Sequence, residues 1–310
     1  MNPWLLCSEP LGTIQPVKLS TSNVASCLAD EWSLGTPTIE PHDRGMNSRT
    51  WLVTDGPDRY VAKAVPPDAH RRFVSGLAVA SLVQAAGIPA GAAIPTREGR
   101  TFVRLDGGSL ALLTLVAGAG LVGDSSSEQR LIGMTLARAH RALIGQRVAD
   151  ADSFHWIDPA AEHLDIRAWV RPAIVRALAS WEQLPPASLS WGLLHSDPAP
   201  EAFLLDPKTG VCGLIDWDMG LVGPLMYDVA SAVMYVGGPD HGAALIDTYL
   251  SHRVLEPADV ERSLGPMLRM RWAVQADYFA RRIAANDLTG IASPDENEKG
   301  LEDARIALTG

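Results

Sequence analysis

Cysteine is nearly absent: Cys7, Cys27 and Cys212 are odd in number and far apart, and no Cys-x-x-Cys pair occurs. A disulfide framework and a zinc ribbon are therefore excluded. Positive charge is not in excess either. Lys and Arg number 26 against 36 Asp and Glu, a net charge of −10, so the chain is not built to hold the phosphates of DNA or RNA. Long apolar runs are missing as well. Stretches such as 110–117 (LALLTLVA) fall far short of the ~20 residues that cross a bilayer. The first residues, MNPWLLCSEPLG, show no basic segment leading into an apolar one, so they do not read as a secretory signal. The expectation is a cytoplasmic protein with neither a nucleic-acid nor a membrane partner. No internal repeat of fixed period is found.

What is present is an ordinary globular composition, 47% apolar and 20% charged over 310 residues, enough for one large domain or two lobes. The acidic balance suits a soluble enzyme, including one that acts on a cationic substrate.

After an irregular, polar start with a short helical candidate at Val24–Trp32, strand-like runs begin at Thr38. Thr50–Thr54 and Arg59–Val65 flank the turn-rich Asp55-Gly56-Pro57-Asp58, which predicts a hairpin. Residues 70–86 have helical spacing and stop at Gly87. Strand candidates Thr101–Leu105 and Leu110–Val116 follow, separated by Asp106-Gly107-Gly108. Beyond Gly118 the reading is mostly helical: Glu128–Leu143 behind a cluster of cap residues, then 160–182, 241–251 and 257–285. Short strands at Gly192–Leu194, Phe203–Leu205 and Val211–Ile215 interrupt the helices. The predicted fold class is α+β, with a small β-rich lobe over residues 1–116 and a larger, mainly helical lobe over 117–310.

Two acidic groups stand at ends of these short strands: His195-Ser196-Asp197-Pro198-Ala199-Pro200-Glu201 and Ile215-Asp216-Trp217-Asp218. Carboxylates on loops at such a spacing suit phosphoryl transfer, where one orients an accepting hydroxyl and another holds magnesium. Taken singly, each acid reads equally well as a turn cap.

Taken together, HSDPAPEA (195–202), IDWD (215–218) and GPLMYDVA (223–230) resemble the aminoglycoside phosphotransferase-like superfamily of aminoglycoside, choline and homoserine kinases. Its pattern is H-G-D-x-x-x-x-N, then I-D-W/F-[DE], then G-D-P-x-x-D-[LIV]-A. The resemblance covers roughly residues 35–285 and implies a two-lobed protein-kinase-like fold. It implies an ATP- and Mg2+-dependent phosphotransferase acting on a hydroxyl of a small metabolite or antibiotic. Asp197 is then the catalytic carboxylate, Asp216 the principal magnesium ligand with Asp218 beside it, and Asp228 a buried acceptor for loop amides. His195 is a brace of the loop. Lys63 becomes the nucleotide-phosphate lysine, Gly45-Met46-Asn47-Ser48 a loop that covers phosphates through Asn47 and Ser48, and Leu112–Ala117, with Thr114 and Val116, the hinge beside adenine.

Three positions depart from the pattern. Ala202 stands where the family has Asn, leaving Glu201 to supply a second metal oxygen. No Glu occurs between Lys63 and Glu98, and Gly76 falls near where the helix Glu belongs, so Lys63 lacks its expected partner. Ser196 replaces Gly. The altered loop leaves two further readings: a component that phosphorylates Ser or Thr of a precursor peptide, and a non-catalytic pseudokinase scaffold. In the last helical stretch, Arg269, Arg271, Trp272, Tyr278, Arg281 and Arg282 fit an apolar stripe with solvated charges, and Asp277 is a candidate for gripping a substrate amine.

Overall fold

Gly56 takes φ +60° at the first central position of a two-residue turn, where glycine is the residue that fits. The computed structural model describes residues 20–42, 48–154, 157–217 and 220–310. Helix α1 (Thr21–Trp32) precedes β1 (Thr38–Pro41), and the Gly56 turn joins β2 (Arg49–Asp55) to β3 (Asp58–Val65). Helix α2 (His70–Ala85), β4 (Val103–Leu105) and β5 (Gly108–Thr114) follow. The strands form one antiparallel sheet in the order β1-β2-β3-β5-β4.

Period-two alternation gives this sheet two apolar faces. Trp51, Val53, Ala62 and Leu112 pack with Val24, Leu28 and Trp32 of α1. Val65 and Ala111 pack with Phe73 and Leu77 of α2. Lys63 shares parity with Val65 and lies directly opposite Ala111, so it belongs to the α2 face. Gly87, at φ +83°, ends the connection out of α2.

The second part carries β6 (Ala119–Gly120), α3 (Ser126–Leu143), β7 (Asp152–Ser153), α4 (Val170–Glu182), β8 (Trp191–Leu194), β9 (Phe203–Leu205), β10 (Cys212–Leu214), β11 (Leu221–Pro224), α5 (Leu225–Tyr235), α6 (Ala243–Ser251), α7 (Pro257–Ala284) and α8 (Pro294–Thr309). Two three-stranded sheets, β10-β9-β6 and β7-β11-β8, hold the loops that carry the acidic motifs. Ile132 and Leu136 of α3, Tyr227 and Val233 of α5, and Met267 and Met270 of α7 form one core that also takes in Val79, Ala80 and Val83 of α2. So α2 serves both parts. Its first turn is also tied across: Arg71 and Arg72 both pair with buried Asp152 of β7. Burial, with Arg281 and Arg71 nearby, pushes the Arg72 pKa down to about 10.

The fold is α+β with a sheet-rich first part and a helical second part, as expected. One local expectation changes, and two helices add to those expected. The helix expected over 160–182 starts only at Val170, after a 3-10 turn at Glu162–Asp165, because Pro172 has no N–H to donate and tolerates only a first helical turn. Helix α5 has no visible period because it is buried all round. Helix α8 opens with a Ser293–Glu296 capping box. Among the described residues no helix is long and apolar enough to cross a membrane.

Helices α3 and α6 approach through Gly133, where a Cβ would stand 2.4 Å from the Leu245 carbonyl oxygen. In an open helix Gly→Ala stabilises by about 1 kcal/mol. Here the sign should reverse: Gly133→Ala is expected to lower unfolding free energy by about 1–3 kcal/mol in urea titrations, because backbone must move to admit the methyl group.

Candidate active site

The loop that follows β8 is held from beneath by one carboxylate. Helix α5 starts directly after β11, which puts Asp228 in its first turn with no exposed surface. Its Oδ2 accepts from the His195 backbone N–H (2.7 Å) and its Oδ1 from that of Ser196 (2.8 Å). Oδ2 also meets His140 Nε2 at 3.0 Å, and His140 Nδ1 lies 2.7 Å from the Tyr249 hydroxyl. Burial raises the Tyr249 pKa well above its usual value, with Asp228 adding to the effect, so the phenol keeps its proton beside His140. An anion taken out of water needs such donors, and Asp228 meets three.

His195 braces the loop as expected: its Nε2 donates to the Ile215 carbonyl (2.8 Å) and its ring meets Trp217 edge-on at 4.6 Å. The Ile215 N–H donates in turn to the Ala202 carbonyl (2.9 Å). The loops bearing Asp197 and Asp216 are thus cross-linked twice. Ser196 and Asp216 both sit in the left-handed region, at φ +75° and +73°. For residues with a Cβ that costs on the order of 1–2 kcal/mol each. The Ser196 hydroxyl donates back to the His195 carbonyl, so it is spent locally.

Asp216 reaches Lys63. Lys63 Nζ, on a side chain 8% exposed, pairs with Oδ1 of Asp216, whose side chain is 59% exposed. The missing helix Glu has a steric counterpart. A Cβ at Gly220 would lie 2.9 Å from Ser75, so the chain after Asp216 presses directly on the small Ser75–Gly76 segment of α2. Lys63 therefore takes its counter-charge from the loop rather than from the helix.

Asp197, with its side chain 61% exposed, accepts at Oδ1 from Arg271 Nη2 (2.9 Å) and from the Tyr235 hydroxyl (2.6 Å). Glu201 is exposed on a 3-10 turn, Pro200–Ala202. Burial raises the Tyr235 pKa; Arg271 opposes the rise, and Asp197 and Glu201 add to it.

The remaining expected residues lie around this centre. Ser48 immediately precedes β2, two residues before Thr50, the register partner of Lys63. The Thr114 hydroxyl donates to Gln84 Oε1 (3.0 Å), which also accepts from the Ala92 N–H (3.1 Å), so Gln84 ties the end of β5 to α2. Val116 rests on β10, where a Cβ at Gly213 would come within 2.8 Å of it. Asn47 and Asp218 lie outside the described residues.

Helix α7 departs from its expected pattern. Arg271 is not a solvated charge: it is 7% exposed, and its Nε donates to Ser231 Oγ at 2.9 Å. Arg282 is buried as well, bonded to Asn297 and Thr289. Asp277 is buried against His163 Nε2 at 2.7 Å, so it is not waiting for an amine. The overlooked signal is that Arg271 falls on the apolar stripe Leu264, Met267, Arg271, Tyr278. A charge there requires a buried partner.

Residues 38–262 match the phosphotransferase enzyme family. The chain is 27% identical to the homoserine kinase of Sinorhizobium medicae over 183 residues, 54% of this chain and 56% of that protein. It thus spans little more than half the length of this relative. In three dimensions it is similar to a microcompartment-associated aminopropanol kinase, with a TM-score of 0.73 at 18% identity over 93% of this chain and 95% of the other. An amicoumacin kinase solved with AMP-PNP, Ca2+ and Ami gives a TM-score of 0.72 at 14% identity over 93% of each.

The buried carboxylate under the loop supports a stability test. Asp228→Asn keeps the volume but turns an NH2 group toward a donor. It should cost about 1–3 kcal/mol for each N–H left unsatisfied. Asp228→Ala, which abandons all three donors, should cost more. Both are read as shifts of the urea midpoint.

Proposed function

The chain belongs to the phosphotransferase enzyme family, and we propose that it transfers the γ-phosphate of ATP, with magnesium, to a hydroxyl of a small amino alcohol. The observation that carries this reading is the Lys63–Asp216 pair, which joins the α2 face of the five-stranded sheet to the loop cross-linked with that of Asp197. Two of the similar proteins, the homoserine and aminopropanol kinases, are named for compounds that carry both an amino group and a hydroxyl. A net charge of −10 favours a substrate bearing an ammonium group.

The donor set fits the implied groups. Among the described residues no three His, Cys, Asp or Glu side chains converge on a ready-made metal site. Magnesium bound with a nucleotide needs only one or two carboxylates beside the phosphates and waters. Asp216 offers an exposed carboxylate of that kind, and Glu201 a second oxygen in place of the Asn replaced by Ala202. When bound, ATP supplies the phosphoryl group and magnesium neutralises its developing charge. Lys63 contributes the cation that a phosphate requires, from a buried position that costs little reorganisation. Ser48, together with Asn47, covers the phosphates; Thr114 and Val116 form the edge beside adenine. Asp218 stands as an accessory metal carboxylate. Asp197 orients the acceptor hydroxyl and takes its proton.

A phosphate-transfer screen with Mg-ATP against homoserine, aminopropanol, other amino alcohols, hydroxylated antibiotics and Ser/Thr peptides tests the reading. Transfer to a peptide alone, or to nothing, would refute it. Mg-ATP at a hundredfold excess over Kd should add about 2.7 kcal/mol to stability. Asp216→Ala should lose most of that gain, while an equal gain in parent and variant would remove Asp216 from the metal site. Asp197→Asn should keep the Mg-ATP stabilisation and lose at least about a hundredfold in turnover. A folded Asp197→Asn with near-parental turnover would show that Asp197 is only a loop residue.

A further inference from the structure

No side chain of the loop that carries Asp197 bonds its carboxylate. After Asp197 come Pro198, Ala199, Pro200, Glu201 and Ala202, and none of these side chains donates a hydrogen bond. Before it stands Ser196, whose hydroxyl is spent on the His195 carbonyl. An exposed aspartate in such a loop would rotate freely between rotamers.

The restraint comes from two helices instead. Asp228, Ser231 and Tyr235 follow one another on one face of α5 at spacings of three and four residues. Asp228 fixes the loop backbone. Ser231 and Tyr235 fix Arg271 of α7, by Nε to Ser231 Oγ (2.9 Å) and Nη2 to the Tyr235 hydroxyl (2.7 Å), with the guanidinium 5.3 Å from the centre of the Tyr235 ring. Arg271 Nη2 and the Tyr235 hydroxyl then both donate to the same oxygen of Asp197, Oδ1. Oδ2 has no hydrogen-bond partner among the described residues.

We infer that Arg271, with Tyr235, is the positioning residue of the reaction: it clamps Oδ1 of Asp197 so that Oδ2 alone faces the acceptor hydroxyl. The inference rests on the reading of Asp197 given above. The chemistry is consistent at every atom. Tyr235 has one proton, which it gives to Asp197, and a lone pair, which receives the Arg271 N–H. Burial raises the Tyr235 pKa, so the phenol keeps the proton it must donate. Burial would lower the Arg271 pKa, but the net shift is upward beside the Asp197 carboxylate it pairs with, so the clamp keeps its charge.

The test is a kinetic cycle on the full chain, with Mg-ATP and the acceptor found in the screen, or with water as acceptor where none is found. A misplacement of about 1 Å costs roughly a hundredfold in turnover. Arg271→Ala is therefore expected to lose about a hundredfold in kcat, and Tyr235→Phe about tenfold. The acceptor KM and the Mg-ATP thermal shift should stay within about twofold. Guanidinium ion should restore part of the Arg271→Ala activity. In an Asp197→Asn background the same replacements should have no further effect on kcat. If they cost as much there as in the parent, Arg271 acts only through the fold and the inference fails. Should Asp197→Asn itself keep its turnover, the base assignment fails first, which is a distinguishable result. Arg271→Lys and Tyr235→Phe carry the cycle if Arg271→Ala does not fold. Stability changes of Arg271→Lys and Asp197→Asn that simply add in urea titrations would overturn the contact itself.

Discussion

A carboxylate with no exposed surface must be matched by hydrogen-bond donors, and Asp228 is matched by two backbone N–H groups and a histidine. That requirement shapes the second half of the molecule. It fixes where α5 begins relative to β8, because the first turn of the helix has to lie beneath residues 195 and 196. It fixes α3 and α6 as well, because His140 and Tyr249 complete the chain of hydrogen bonds. Once the loop backbone is pinned at Ser196, a left-handed φ is forced there. The strain is sustained because the surrounding bonds over-determine the conformation.

The same logic governs the joint between the two parts. Lys63 is a buried cation, and a buried cation without a partner is costly. Its partner is an aspartate 153 residues away, on a loop that His195 and Ala202 cross-link to the Asp197 loop. Arg71 and Arg72 repeat the pattern at the start of α2, sharing buried Asp152 of β7. Between these ties α2 packs on the sheet with Phe73 and Leu77 and on the helical core with Val79, Ala80 and Val83. Two opposite-charge contacts and one shared helix thus set where Lys63 stands relative to the acidic loops.

Much of this was legible in the chain, and the limits have physical causes. The hairpin at 50–65, the capped start of α3 and the strands beside 195 and 205 announce themselves through local turn chemistry and periodicity. Asp197 and Asp216 stand out because motif order and spacing are local too. Helix α5 has no period to detect, since Leu225–Met234 are buried on every side. Partners are harder than elements. Nothing local tells that Lys63 meets Asp216, or that Arg271 meets Asp197 across 74 residues. A single clue was available for the second pair: an arginine on an apolar stripe has to be paid for somewhere.

Stability alone does not account for that arginine. Replacing a buried ion pair with well-packed apolar groups is often neutral or stabilising, by about 1–4 kcal/mol. A leucine at position 271 would continue the stripe of Leu264 and Met267 without the desolvation cost. What it would not do is give direction to a carboxylate that is itself 61% exposed. The energy gained from Arg271 lies in geometry: a planar, permanently charged fork, held at one end by Ser231 and Tyr235, fixes a side chain that its own loop leaves loose. Such rigidity lowers a barrier only if Asp197 must point one way when a hydroxyl arrives. On the role proposed for Asp197, the buried arginine, a residue outside the acidic loops, has a use that packing alone does not give it.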